Sequence, residues 1–340
     1  MFLRNGWYVA ALSREIGRQP LARWILGEPL VLFRTEDGRA VALSDRCPHR
    51  GAQLSKGCLE GDNLVCGYHG FTFDATGRCV RIPGMDRVPA QADVRRFPLV
   101  ETWQWLFVWM GDPALAERTP LPDYHWMDAP GWAGRDELLD VKADYTLVRD
   151  NLLDLSHAKF VHKNTLATDD VTETPVQATA EDGLVRVTRD MRNIVPSPFF
   201  KRLRGFGGRV DHSQIIEFTP PCHIVIKVRV ASAPGEREDK VAEMRVLNAL
   251  TPERPGATHY FWGLVRNFAT DDKEATDLAH RLNRDTFFED VTVLEAQQLM
   301  LDCRPAGWAP VSVPADRGCV LADRVMKKLV DAERAAAARP

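Results

Sequence analysis

No run of residues in this chain approaches the length of apolar sequence, about 20 residues, that a helix needs to span a bilayer. The segment from Met1 to Ala11 also lacks the apolar stretch and cleavage site of a secretory leader, so a cytoplasmic protein without membrane partners is expected. An excess of one charge is missing as well. Lys and Arg number 44 against 47 Asp and Glu, a formal net charge of -3, which gives no global field to attract nucleic acid. Cysteine is sparse, scattered and odd in number, at seven, which excludes a disulfide framework. Cys58, Cys79, Cys222, Cys303 and Cys319 are expected to pack as small buried hydrophobes. Repeats and low-complexity tracts are absent too, apart from the alanine-rich stretch Ala335 to Ala338.

What remains is an ordinary globular balance, 45% hydrophobic and 27% charged, over 340 residues. That length favours two domains with enough core to enclose a cavity. The first third reads as short strands joined by turns. Leu30 to Arg34 and Arg39 to Leu43 flank Asp37-Gly38, a hairpin signal. Phe71 to Phe73 and Cys79 to Ile82 flank a turn containing Gly77, and Trp105 to Met110 is an aromatic strand. A proline-punctuated connection follows, Pro113 to Pro130. Tyr145 to Phe160 has helical character. Strands are then expected at Leu184 to Met191, Ser213 to Phe218, His223 to Val230, Ala242 to Leu250 and His259 to Val265. Helices are expected at Asp272 to Met300 and Val320 to Arg334. Strands in a block followed by helices indicate an α+β domain.

Cys47 and Cys66 stand apart from the other cysteines. Cys47-Pro48-His49 and Cys66-Gly67-Tyr68-His69 are two short loops, each offering one thiolate and one imidazole. A Rieske [2Fe-2S] cluster uses such a set, two cysteines on one iron and two histidines on the other. The competing reading is tetrahedral zinc. Zinc fingers pair Cys with Cys and His with His, whereas each loop here supplies one of each, which favours the cluster.

A second constellation runs from Asp150 and Asn151 through Asp154 and His157 to His162. At about 100° per residue, Asp154 shares a helical face with His157, while His162 would point about 140° away from it. Both imidazoles can reach one metal only if the helix ends or distorts between them. Two histidines completed by a carboxylate suit a mononuclear non-haem iron. The carboxylate is expected from Glu289 or Asp290. Phe287, Val291 and Leu294 define an apolar stripe that includes Asp290 and leaves Glu289 on the solvent side, so Asp290 is the choice.

With the segment Asn5-Gly6-Trp7-Tyr8-Val9-Ala10, these residues resemble the Rieske non-haem iron aromatic oxygenases. Within them, the likeness is to the short demethylating branch typified by vanillate O-demethylase. Dicamba O-demethylase and toluenesulfonate methyl-monooxygenase look like more distant relatives in it. The resemblance covers nearly the whole chain, including Pro198-Phe199-Phe200, Pro220 to His223, Tyr260 to Gly263, Arg266 to Phe268 and Phe288-Glu289-Asp290. It implies an N-terminal all-β Rieske domain, 1–125, and a catalytic helix-grip domain, 126–340. It also implies a head-to-tail homotrimer in which Asp154 bridges His157 to a neighbour's His69, with Asn151 in the same catalytic set.

The implied chemistry draws electrons from NADH through a flavin and iron–sulfur reductase to the cluster and then to mononuclear Fe(II). Hydroxylation of a methoxy carbon with O2 follows, and collapse of the hemiacetal yields a phenol and formaldehyde. A vanillate-like methoxybenzoate is the expected small aromatic substrate. An aromatic methyl or N-methyl hydroxylase of the same architecture is the alternative, and a Rieske electron-transfer protein is the reading from another class. A benzoate calls for cationic or hydrogen-bonding partners, ideally a bidentate arginine. Arg204, Asn248 and His212 are the candidates, while Arg266 is expected to be structural.

Overall fold

The computed structural model describes residues 2–163, 165–166, 170 and 174–338. The chain divides into two compact units, Met1–Leu121 with Thr251–Pro255, and Pro122–Leu250 with Gly256–Pro340.

The strands of the first unit are β1 (Trp7–Leu12), β2 (Leu21–Ile25), β3 (Glu28–Arg34), β4 (Ala40–Ser44), β5 (Cys58–Glu60), β6 (Asn63–Val65), β7 (Thr72–Phe73), β8 (Cys79–Arg81), β9 (Leu99–Thr102) and β10 (Trp105–Trp109). They form three small sheets, ordered β1-β10-β9, β2-β3-β4 and β5-β6-β7-β8, each with antiparallel pairing. Both expected hairpins are present. Gly38 and Gly77 close them at φ +85° and +88°, a conformation that glycine adopts without steric cost. The core beneath the two cysteine loops contains Val31, Phe33, Leu43, Leu54, Leu64 and Phe73, and Cys47 and Cys66 are part of it.

The second unit is built on one seven-stranded sheet of β11 (Ala133–Val141), β12 (Gln177–Glu181), β13 (Leu184–Ile194), β14 (Val210–Thr219), β15 (His223–Ser232), β16 (Val241–Arg254) and β17 (Ala257–Arg266). The order β11-β17-β16-β15-β14-β13-β12 is a meander from β12 to β17 with β11 added at the far edge. The helix Tyr145–Leu153 packs on β14 and on two other helices. Of these, Lys273–Asp302 packs on β11 and β17, and Arg317–Ala337 packs on β12 and β13. Antiparallel strands gripping helices in this way make an α+β catalytic unit of the expected kind.

Strands β11 and β12 escape the sequence pattern because both are sheet edges. β11 carries Arg135, Asp136, Glu137 and Asp140, and charge on an edge strand discourages further pairing.

The single helix expected over Tyr145 to Phe160 is broken. It stops at Leu153, Asp154 leaves the helical region at φ -118° and ψ 98°, and a 3-10 turn covers Leu155–His157. A short helix, Ala158–Val161, then ends before His162.

Two cysteines depart from expectation. Cys58 and Cys303 are exposed. Cys58 opens the short strand β5, and Cys303 caps the long helix, where its Sγ donates to the Leu299 carbonyl at 3.2 Å. Position at an element's end overrides the residue's usual preference for burial.

Candidate metal centres and active-site cavity

The two cysteine loops are built on one frame. In the first, Cys47 N donates to Ala52 O at 2.8 Å and Gly51 N donates to Cys47 O at 2.9 Å. In the second, Cys66 N donates to Phe71 O at 2.8 Å and Gly70 N to Cys66 O at 3.0 Å. Gly51 and Gly70 take the same left-handed conformation, φ +69° and +71°. Each loop therefore buries its cysteine and turns its histidine outward. Cys47 and Cys66 are each 2% exposed, whereas His49 and His69 are exposed with ring centroids 4.5 Å apart. His49 also stacks on Phe71, at 5.0 Å and 8° between planes. Tight backbone approach holds the loops in place, since a Cβ on Gly57 would lie 1.9 Å from the Val65 carbonyl oxygen.

Burial pushes the Cys47 thiol up to about 11, and nearby Cys66 adds to the rise, so binding a metal there must displace the Cys47 proton. Among the described residues, one group of three or more ligating side chains has its donor atoms all within 4.8 Å, and it is not this one. Two thiolates and two imidazoles supplied in pairs by two loops are the donor set of a two-iron Rieske cluster.

The compact group is His157, His162 and Asp290. His157 Nε2 and His162 Nε2 lie 3.2 Å apart. Asp290 Oδ1 is 3.3 Å from the first and 3.2 Å from the second. N and O ligands about 2.1 Å from a metal span an octahedral face with edges of about 3 Å, so this triangle fits one face of six-coordinate iron. The helix break at Asp154 is what swings the two imidazoles together.

Each histidine uses its other nitrogen to fix the ring. His157 Nδ1 donates to the Asp154 carbonyl at 2.7 Å, and His162 Nδ1 to Glu289 Oε2 at 2.8 Å. Both Nε2 lone pairs then face the shared point. Burial opposes charge on His162, yet contact with Asp290 and Glu289 raises its pKa above the usual imidazole value. Asp290, despite burial, is held below the usual carboxylate value by the two imidazoles. The site stabilises positive charge, as a cation site must.

Two expectations need correction here. Glu289 is not a solvent-side acid. It borders the buried stripe, and its longer side chain reaches His162 and accepts from Thr165 Oγ1 at 3.2 Å. The Asp154 carboxylate does not hold His157. It accepts from Ser156 N and Oγ at 2.8 and 3.0 Å, capping the 3-10 turn, and its main-chain carbonyl holds the imidazole. Asn151 donates from Nδ2 to Asp290 Oδ1 at 3.1 Å, beside the triad.

The three groups border a cavity of about 100 Å³, room for a small organic molecule when a single water needs about 10–15 Å³. Its wall combines Leu152, Phe199, Phe200, Ile226, Val228 and Phe287 with a few polar groups, the composition of a small-molecule site. His212 lies in the wall. Asn248 and Arg204 do not. Asn248 is fully buried but saturated, with Nδ2 donating to Ile224 O and Val246 O and Oδ1 accepting from Tyr260. Arg204 sits over the Phe268 ring, 5.3 Å from its centroid, at the surface end of the helix Pro198–Arg204. Arg266 donates to the carbonyls of Ala269 and Asp272, a structural tie. Sequence reasoning passed over Ser197, Gln214 and Asn283, which also line the cavity.

Two family models match successive parts of the chain. Residues 6–98 match the Rieske [2Fe-2S] domain, and residues 141–332 match the vanillate O-demethylase oxygenase C-terminal domain. The chain is 39% identical to a putative toluene-4-sulfonate monooxygenase system iron-sulfur subunit of Comamonas testosteroni, covering 96% of this chain and 98% of that one. It is 36% identical to the vanillate O-demethylase oxygenase subunit of a Pseudomonas species, covering 99% and 97%. Dicamba monooxygenase bound to 3,6-dichlorosalicylic acid superposes with a TM-score of 0.92 at 35% identity, covering 99% of both chains.

Proposed function

The chain belongs to the Rieske non-haem iron oxygenases of the vanillate O-demethylase type, and from that premise we propose that it removes the methyl group of a small methoxyarene as formaldehyde, leaving a phenol. It is the oxygenase component of a monooxygenase with a Rieske [2Fe-2S] cluster and a mononuclear iron. The division we adopt is a Rieske domain over 1–125 and a catalytic domain over 126–340. In our reading Cys47 and Cys66 hold one cluster iron, His49 and His69 the other, and His157, His162 and Asp290 the mononuclear iron. When bound, these groups supply electron delivery and dioxygen activation.

The residues of the chain do the rest. The Asp154 carbonyl and Glu289 orient the imidazoles, Asn151 steadies Asp290, and Leu152, Phe199, Phe200 and Phe287 exclude water around the methyl carbon. A partner reductase fits the naming of the relatives as subunits of multi-component systems. NADH as electron source and a homotrimer joined through Asp154 follow from the resemblance. The observation that carries the reading is the triangle of His157, His162 and Asp290 opening on an apolar cavity.

Incubation with a flavin reductase, NADH and methoxyarenes is expected to give formaldehyde and phenol in equal amounts. A retained hydroxymethyl arene would favour the second reading, methyl hydroxylation, which the name of the toluenesulfonate relative supports. Size-exclusion chromatography with light scattering tests the trimer.

A further inference from the structure

Beside the triad, four polar atoms in the cavity wall are buried without any hydrogen-bond partner: Ser197 Oγ, His212 Nε2, Gln214 Oε1 and Asn283 Nδ2. Ser197, His212 and Asn283 are each at most 8% exposed. Leaving one such group unsatisfied is costly, and four converging on one space form a set that a ligand satisfies. Other polar groups of the wall are already engaged, Thr286 with the Leu282 carbonyl and Asn151 with Asp290.

No lysine or arginine lines this cavity among the described residues. The sequence from Asn164 to Glu173 contains none either. His212 is no cation at neutral pH, because burial, with Arg189 adding to it, brings its pKa down to about 4. Arg189 itself is 5% exposed with Nε and Nη1 unpartnered, and it stands opposite Gln214 across the β13–β14 pair. It borders a separate, water-sized space of about 10 Å³ with Leu153 and Leu155, and Gln214 stands between that space and the cavity.

We propose that Ser197, His212, Gln214 and Asn283 select an uncharged aromatic substrate bearing both a hydrogen-bond donor and an acceptor, such as a phenol or benzylic alcohol, over an aromatic carboxylate or sulfonate. A hydroxyl can donate to the Gln214 carbonyl oxygen and accept from Asn283 or Ser197. A carboxylate only accepts, so it would set an oxygen against Gln214 Oε1 and leave that atom unpaired, with no lysine or arginine in the wall to offset its lost hydration. This rests on the demethylase reading and replaces the methoxybenzoate of the resemblance with a neutral methoxyarene.

The test is calorimetric titration of the metal-loaded protein with vanillyl alcohol and with vanillate, alongside formaldehyde release from both. The alcohol is expected to bind about ten-fold or more tightly than the acid. Gln214→Leu and Ser197→Ala are expected to weaken the alcohol about ten-fold each while barely moving the acid, with cluster absorption as the control for folding. Equal or tighter binding of vanillate overturns the proposal. If that binding vanishes in Arg189→Met, the overturn also identifies Arg189 as an anion anchor. Tighter alcohol binding without formaldehyde from either compound supports the recognition chemistry and overturns only the demethylation reading. Formaldehyde released preferentially from vanillate overturns this inference and leaves demethylation standing.

Discussion

The four proposed cluster donors lie between Cys47 and His69, on two loops with the same internal main-chain hydrogen-bond pattern, whereas the proposed iron triad joins His157 and His162 to Asp290, on a helix far along the chain. The first region depends on backbone: two left-handed glycines, a glycine where any Cβ would strike a carbonyl, and reciprocal main-chain hydrogen bonds. The second depends on side chains meeting across tertiary structure, each imidazole fixed by an oxygen from a different segment. Local frames tolerate side-chain change and fail on backbone change. Long-range side-chain sites behave the other way round.

Removing a donor from each region gives the largest expected effects and sharpens the comparison. Asp290→Ala is expected to lose mononuclear iron and turnover completely while the visible spectrum of the cluster persists. Cys66→Ser is expected to lose that spectrum while the triad still binds cobalt(II) as a spectroscopic probe. Loss of both centres in either variant would break the independence of the two regions.

Gly57→Ala comes next. Its Cβ would meet the Val65 carbonyl oxygen at 1.9 Å, so the two loop-bearing segments must separate. We expect about 1–3 kcal/mol of destabilisation in chemical denaturation, with partial loss of cluster absorption and an unaltered triad. A variant with wild-type cluster content would mean that the loops do not depend on this close approach.

Glu289→Ala ranks third, where an acid on the solvent side would give only a mild effect. Without the acceptor at His162 Nδ1, the ring loses its orientation. The loss of an outer carboxylate of this kind weakens metal binding about 10–100-fold, which cobalt(II) titration measures directly. Unchanged affinity would show that packing alone holds the ring.

Much of this was legible because each centre left a different trace. The paired Cys and His loops are contiguous in sequence and need no fold to be recognised. Asp290 betrayed itself as an acid inside an apolar stripe, and the need for a helix break before His162 followed from helical geometry alone. The cavity residues left a trace that went unused. In β14, Val210, His212, Gln214, Ile216 and Phe218 occupy alternate positions, so two polar residues sit on the face of an otherwise apolar strand. Asn283, with Thr286 and Asp290, continues a polar line within the buried stripe of the long helix. Polar residues at positions whose period demands apolar ones mark the site. Arg204 and Asn248 misled because residue type alone does not say whether a polar side chain is already satisfied. Nor could helical phase show that Glu289, at the margin of the stripe, was long enough to reach His162.

The smallest expected effect on folding and metal content belongs to Asp154→Asn. Within one chain the Asp154 carboxylate caps the turn Leu155–His157 through Ser156 and lies near enough to Arg189 to favour its charge, while the carbonyl, which no side-chain replacement removes, holds His157. Asparagine caps a turn about as well as aspartate but gives up the attraction to Arg189, so a stability loss of about 1 kcal/mol and full metal content are expected. Any large loss of turnover in this variant therefore cannot come from a disturbed triad. It must come from what the carboxylate does beyond its own chain, the role that the resemblance assigns to it beside a neighbour's His69. Rapid mixing separates the alternatives: the cluster should be reduced at the normal rate and reoxidised slowly when substrate and oxygen are added. Wild-type reoxidation together with wild-type stability would leave the carboxylate as a turn cap and nothing more. The link between the two regions would then run by another path.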